Sequence, residues 1–154
     1  MRLFSIAFLF FFISSCKKTV TQQDSNTSST ETIEKKSVSM TTLLNDIWVL
    51  ESINDVPIDK NIYHDNLPYV EFHITDSKVL GFTGCNQFNG NMEANDDKGI
   101  QLSQLISTKK ACIPPQNESD FLQLLQNSNN YDIREGKLYL YQMKNLTLTF
   151  KKVD

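Results

Sequence analysis

Gly84-Cys85-Asn86-Gln87-Phe88-Asn89-Gly90 is the heptapeptide around which the fold of this 154-residue chain is predicted to form. Glycine and asparagine tolerate positive φ, so two of each within seven residues predict a bend or a β-bulge in the backbone. The run that precedes it, residues 78–83, has the composition of a strand. Phe88 is the one large aromatic side chain in the heptapeptide, and we expect it to anchor the bend on the core.

Short strands are predicted before this bend. Residues 46–53 form a first strand, with Trp48, the only tryptophan, as a core residue. Residues 69–74 alternate strictly between apolar and polar side chains, which predicts a half-buried strand. Its inward side chains are Val70, Phe72 and Ile74.

A helix and a meander are predicted after the bend. Residues 95–99 favour a turn, and the sequence leaves the secondary structure of residues 103–112 ambiguous. Pro114-Pro115 precedes a helix that begins near Asn117, a candidate N-cap, and buries Phe121, Leu124 and Leu125. The last 25 residues predict three strands, the final one with Leu146, Leu148 and Phe150 on one face. We predict a mainly β fold with one α-helix: a small curled sheet or barrel of seven or eight short strands.

The N-terminal region predicts an exported and lipidated protein. Residues 1–15 combine Arg2 with an apolar run that suits a signal peptide and is too short to span a bilayer. Ile13-Ser-Ser-Cys16 resembles a bacterial lipobox, which makes Cys16 the lipidated first residue. A plain cleaved signal and an uncleaved anchor are the alternatives. Residues 16–41 are polar and without apolar periodicity, which predicts a disordered tether. The folded domain is expected to occupy residues 42–154.

Charge and the residues after Cys16 indicate where the protein is held. Lys17 and Lys18 stand where an aspartate would favour inner-membrane retention, so we expect an outer-membrane lipid anchor. The expected side is the periplasm, with the cell surface as the alternative.

Without residues 1–15 the chain has 14 basic and 18 acidic side chains, a net charge of −4. Nucleic acid is therefore excluded as a partner, because its binding needs a clustered basic surface.

Four motifs in fixed order resemble the META domain, the family of HslJ-like envelope lipoproteins. They are Trp48-x-Leu50, Gly84-Cys85-Asn86-x-Phe88-x-Gly90, Thr108-x-x-Ala111-Cys112 and the ending from Leu138-x-Leu140 to Phe150. The resemblance covers residues 44–152. It implies a compact β-rich fold with a single helix, a link to envelope stress response or antibiotic tolerance, and no established catalytic activity. Lys109-Lys110 departs from the usual apolar pair, which predicts a more exposed segment.

The chain offers no recognisable catalytic or metal-binding motif. His64 and His73 are the only histidines, and neither has a second ligand at motif spacing. With Cys16 lipidated, Cys85 and Cys112 remain as an even pair in an oxidising compartment, so we predict a disulfide between them. We therefore expect no enzyme activity, no cofactor and no metal.

Two functions of different kinds fit these observations. The first is a membrane-tethered interaction module that binds an envelope protein or peptide, with the polar side chains of the central bend as possible contacts. The second is a small barrel that binds a hydrophobic ligand in the manner of lipocalins. A domain of about 110 residues must fill its barrel with side chains to be stable, which favours the first.

The predicted lipid anchor can be tested at Cys16. Cys16→Ser removes the thiol that receives the lipid, so the variant should accumulate as an uncleaved or mislocalised precursor. Metabolic labelling with a fatty-acid analogue should label the wild-type chain and not the variant. Equal labelling of the two chains would contradict the prediction.

Overall fold

The structure is a computed structural model that describes residues 38–64, 66–112 and 118–153. The predicted signal peptide, Cys16, most of the predicted tether, Pro114-Pro115 and the candidate N-cap Asn117 lie outside these ranges. No helix within them is long and apolar enough to cross a bilayer.

The described residues form nine strands, two α-helices and one 3-10 helix. The helices are α1 (Met40–Leu44), the 3-10 helix (Lys60–Tyr63) and α2 (Glu118–Asn127). The strands are β1 (Ile47–Ile53), β2 (Val56–Pro57), β3 (Tyr69–His73), β4 (Lys78–Phe82), β5 (Gln87–Ala94), β6 (Ile100–Ser107), β7 (Asn130–Arg134), β8 (Lys137–Gln142) and β9 (Asn145–Lys152).

All nine strands belong to one antiparallel sheet that curls until its two edges approach each other. The order is β6-β5-β4-β3-β1-β9-β8-β7, and β2 pairs with β1. A single isolated β-bridge joins Gly99, just before β6, to Asn130 on β7. The Ile100 amide also donates to the Asn129 carbonyl over 3.1 Å, and the Tyr131 amide donates to the Lys98 carbonyl over 2.8 Å. The predicted fold class, a mainly β and barrel-like sheet, is confirmed.

Helix α2 packs along β6 and also contacts β8 and β9, so it covers the region where the edge strands do not pair. Phe121 and Leu125 are buried, and Leu124 packs against the core while half-buried. The predicted apolar stripe of this helix therefore faces the sheet. Burial of this stripe stabilises the helix more than its intrinsic propensity does, because a ten-residue helix is marginal alone.

Helix α1 is a short element that the sequence did not predict. It starts at Met40, two residues before the expected domain boundary, and its Leu44 is fully buried. The indole Nε1 of Trp48 donates to the Leu44 carbonyl over 3.0 Å. Asp96, in the predicted turn between β5 and β6, accepts hydrogen bonds from the Thr41 amide at 3.0 Å and the Ser39 hydroxyl at 2.6 Å. Five residues show no periodicity, so this helix depends on contacts distant in sequence.

The central bend is shorter than the heptapeptide. The chain turns over residues 83–86, where the Thr83 amide donates to the Asn86 carbonyl over 2.8 Å and Gly84 has φ of 102°. Strand β5 starts at Gln87, so the expectation that the bend reaches Gly90 is wrong. The reason is pairing on both sides: β5 lies between β4 and β6, and these partners extend the backbone.

The predicted bulge is present opposite Gly90. The pairing of β5 with β6 shifts register between Asn89 and Asn91, and Gln104 on β6 has φ of 53°. A Cβ on Gly90 would lie 2.8 Å from the Ser103 carbonyl oxygen and 2.6 Å from a Leu105 methyl carbon. Glycine at this position therefore allows β6 to approach closely. The ambiguous residues 103–107 continue β6, and residues 108–112 leave the sheet.

Side-chain alternation was predicted correctly in β3 and only partly in β9. Val70 and Phe72 are buried, while their neighbours on β3 are half-buried. In β9, Leu148 and Phe150 are fully buried, but Leu146 is half-buried and does not join the core cluster. The pairing of β8 with β9 shifts register after Leu140, which removes Leu146 from the face that alternation assigned to it.

The stability of the core can be tested at Phe88. Its ring is 2% exposed and meets Phe121 edge-on, with ring centroids 6.2 Å apart. Phe88→Ala leaves a cavity in a packed interior, so it should lower the free energy of unfolding by about 3–5 kcal/mol. The matched change Gln87→Ala, at an exposed neighbour, should cost within about 0.5 kcal/mol. Denaturant unfolding measures both, and a Phe88→Ala protein as stable as wild type would overturn the anchoring role.

Candidate functional site: the Asn86 cluster and the disulfide

Three segments meet at one place beside the sheet: the turn at residues 83–86, the segment 108–112 after β6, and the first turn of α2. The predicted motif residues divide between this place and the core. Trp48, Phe88 and Gly90 are buried within the fold. The others lie where the three segments meet: Gly84, Cys85, Asn86, Thr108, Ala111 and Cys112.

A disulfide joins two of these segments covalently. Cys85 and Cys112 are bonded, with their Cα atoms 5.9 Å apart and 27 residues of sequence separation. Both are half-buried. In the chain-entropy model a loop of this length stabilises the fold by about 3–4 kcal/mol. The link holds the irregular segment after β6 against the turn before β5.

The carboxamide of Asn86 is the centre of a hydrogen-bond cluster in the same place. Asn86 is 4% exposed. Its Oδ1 accepts from the Thr108 hydroxyl at 2.7 Å and the Lys110 amide at 2.8 Å. Its Nδ2 donates to the two carboxylate oxygens of Glu118 at 3.0 and 2.9 Å. One side chain therefore binds the segment after β6 and the start of α2 at once.

Thr83 adds a second connection between the turn and the helix. It is 2% exposed, and its hydroxyl accepts from the Asn86 amide at 2.9 Å and donates to the Glu118 carboxylate. Glu118 lies in the first turn of α2, where the helix dipole stabilises a negative charge. Its Oε1 is also 2.7 Å from the sulfur of Cys112.

Neither Thr83 nor Glu118 was predicted from the sequence as a member of this cluster. Thr83 and Glu118 are 35 residues apart, and nothing local indicates that they touch. A weak signal was present: a threonine three residues before an asparagine is typical of turns closed by side-chain hydrogen bonds. The polar side chains of the bend that were predicted as possible contacts are Gln87, Asn89 and Asn91. All three lie on β5 outside the cluster; Gln87 and Asn89 are exposed and Asn91 is half-buried.

An open groove of about 380 Å³ runs beside the disulfide. Its walls include Tyr63, His64, Phe82 and Lys110, together with both cysteines. Burial raises the pKa of the Tyr63 hydroxyl, so this side chain is neutral at physiological pH. The groove therefore combines aromatic surface, a cation and a covalent link between two segments.

The two histidines do not form a common site. His64 lies in the groove with a left-handed backbone conformation at φ of 44°. His73 is on β3, and its Nε2 is 2.8 Å from a carboxylate oxygen of Glu71 on the same strand. Lys109 and Lys110 are exposed, as the departure from the family pattern predicted. Among the described residues neither ammonium has an ion-pair partner.

Removal of the Asn86 carboxamide should destabilise the domain strongly. Asn86→Ala removes the acceptor of the Lys110 amide and of the Thr108 hydroxyl. It also removes a donor to the Glu118 carboxylate, which keeps its bond from Thr83. Each buried group left unpaired costs roughly 1–3 kcal/mol. We expect a loss of about 3 kcal/mol or more in the free energy of unfolding of the oxidised protein. The control Asn89→Ala, at an exposed asparagine, should cost within about 0.5 kcal/mol. Equal denaturation midpoints for the two variants would contradict the central role of Asn86.

The chain is similar to known proteins in sequence and in fold. No curated protein matches the chain. A solved structure described as an NMR structure is 27% identical, with a TM-score of 0.57 over 75% of this chain and 96% of its own. The crystal structure of a DUF4847 family protein from Bacteroides vulgatus is 16% identical, with a TM-score of 0.50 over 72% of this chain and 96% of its own. At this identity the similarity extends to the fold and not to function. The META domain model matches residues 41–154, from α1 through β9, and the chain belongs to the META domain family.

Proposed function

We propose that this protein is a non-catalytic interaction module, tethered by a lipid on Cys16 to the outer membrane of a bacterium and facing the periplasm. Its role in the envelope stress response is what the resemblance to HslJ-like lipoproteins implies. The domain recognises a segment of another envelope protein through its outer surface.

The filled interior of the curled sheet is the observation that carries this proposal. Within the described ranges eighteen apolar side chains are buried, and the largest of them occupy the space that the sheet encloses. Trp48, Phe72 and Phe150 are each at most 1% exposed. A hydrophobic ligand of the lipocalin type needs an open cavity in that place, and here side chains occupy it. Recognition is therefore assigned to the outside of the domain.

The Asn86 cluster supports a role without turnover. Its hydroxyl, amide and carboxylate groups bond to one another, which is the arrangement of a structural connection. A general base or nucleophile must instead present a polar atom to a substrate. The disulfide also removes both domain cysteines as nucleophiles.

The groove beside the disulfide is the surface that best fits a partner. Tyr63 and Phe82 provide aromatic walls, a residue class enriched at the energetic centre of interfaces. Lys110 lines the groove, and Lys109 precedes it in the chain; both side chains are exposed and positively charged. The complementary occupant is an extended peptide segment with acidic side chains, because opposite charges steer encounter and set register.

Site-specific photocrosslinking in the native envelope tests this surface. A photoreactive residue at His64 or Ala111, both exposed in the groove, should give the same discrete protein adduct. The same residue at Lys144 or Gln126, exposed elsewhere, should not. Mass spectrometry should place the crosslink in a partner segment that contains aspartate or glutamate.

Charge reversal provides the second arm. The double change Lys109→Glu and Lys110→Glu should abolish the adduct, whereas Lys144→Glu should leave it intact. Equal adducts from groove and control positions would refute the proposed surface. A small non-protein adduct in place of the protein would favour the ligand-binding alternative.

A further inference from the structure

The side chains of Cys85, Cys112 and Glu118 bring three potential metal ligands together. Their two sulfurs and a carboxylate oxygen all lie within 4.8 Å of one another. All three residues are half-buried, and the cysteines open onto the groove. In the oxidised protein the two sulfurs are bonded to each other, so only reduction frees them to bind a metal.

We propose that the reduced protein binds one Zn²⁺ through the thiolates of Cys85 and Cys112 and the carboxylate of Glu118. Thiolate sulfur and carboxylate oxygen are both ordinary zinc ligands, and three protein ligands leave one position for water or a partner group. The disulfide and the zinc site are alternative states of the same three residues. The cysteines line the same groove that we assign to peptide recognition, but zinc binding does not require a peptide to be present.

The exchange between the two states balances with a dithiol as the reductant. The dithiol transfers two electrons and two protons to the protein sulfurs and becomes a disulfide itself. Zinc then binds the two thiolates, and their two protons are released to solvent. The open groove gives both the dithiol and the metal access to the sulfurs.

The backbone geometry suits both states. Zinc–sulfur bonds of 2.3 Å at a tetrahedral angle separate two sulfurs by about 3.8 Å. The Cα atoms of Cys85 and Cys112 are 5.9 Å apart, so side-chain rotation is enough to reach that separation. Glu118 already lies against the sulfur of Cys112, at 2.7 Å.

Asn86 is placed to support the zinc ligands. Its Nδ2 lies 3.5 Å from the sulfur of Cys112 and 3.8 Å from that of Cys85, while it donates to the Glu118 carboxylate. An N–H donor beside thiolates and a carboxylate stabilises their negative charge and holds them in place. The carboxamide is itself fixed by Thr108 and the Lys110 amide.

Metal titration of the full chain tests the site. After reduction with a phosphine, added Co²⁺ should produce a sulfur-to-cobalt charge-transfer absorption that saturates at one equivalent of metal. Zn²⁺ should then displace the Co²⁺ and remove the absorption. The oxidised chain should show none. Cys85→Ser should abolish the signal, and Glu118→Gln should weaken zinc binding roughly ten-fold or more in competition with a chelator. Glu93→Gln, at an exposed carboxylate on β5, should bind as wild type does.

Thermal melting separates loss of the site from loss of the fold. Zinc should raise the melting temperature of the reduced wild-type chain, because a ligand that binds the folded state stabilises it. If reduction unfolds the domain, zinc should restore its circular dichroism spectrum. A reduced wild-type chain that neither binds Co²⁺ nor responds to Zn²⁺ would overturn the proposal, as would unchanged binding in Cys85→Ser.

Discussion

The buried carboxamide of Asn86 is the interaction on which the arrangement of the domain depends. A primary amide offers two donors and two acceptor positions, and burial makes each unused one costly. Here the oxygen accepts from Thr108 and the Lys110 amide, and the nitrogen donates to Glu118. Thr108 and Lys110 directly follow β6, and Glu118 begins α2. The hydrogen bonds of one side chain therefore fix the positions of both segments.

Packing and hydrogen bonding reinforce each other around this point. Phe88 follows Asn86 by two residues, and strand geometry directs it inward as soon as β5 begins. Its ring contacts Phe121 on α2, whose ring lies 6.3 Å from that of Phe150 on β9. The helix that Asn86 holds at its first turn is thus held by aromatic packing one turn later. This explains how a ten-residue helix can cover a gap between strands that pair only at Gly99 and Asn130.

The disulfide and the hydrogen-bond cluster constrain the same contact in different ways. The disulfide restricts the unfolded chain, whereas the hydrogen bonds act in the folded state. Because Thr83, Asn86 and Glu118 hold the same segments without the covalent bond, reduction need not separate the two cysteines. The proposed zinc site relies on this redundancy, because it needs the carboxylate, the amide and the two sulfurs to stay close after reduction. Because side chains fill the interior, the chemically distinctive surface of the domain is the region around the disulfide together with the adjoining groove.

Local patterns in the sequence determined the mainly β class, the inward face of β3 and the apolar stripe of α2. The count of cysteines left after Cys16 predicted the pairing of Cys85 with Cys112, and the departure from the META pattern predicted the exposure of Lys109 and Lys110. Periodicity suffices for the faces of β3 and α2, because neighbours in the chain set them.

Tertiary structure alone decided the rest. Strand β5 includes Gly90 because β4 and β6 pair with it on both sides. Helix α1 forms where Asp96, 55 residues away from Thr41, accepts its hydrogen bonds. Leu146 leaves the core face because a register shift intervenes. The partnership of Asn86 with Glu118 joins residues 32 apart, and which polar groups meet across such a distance depends on the path of the backbone between them.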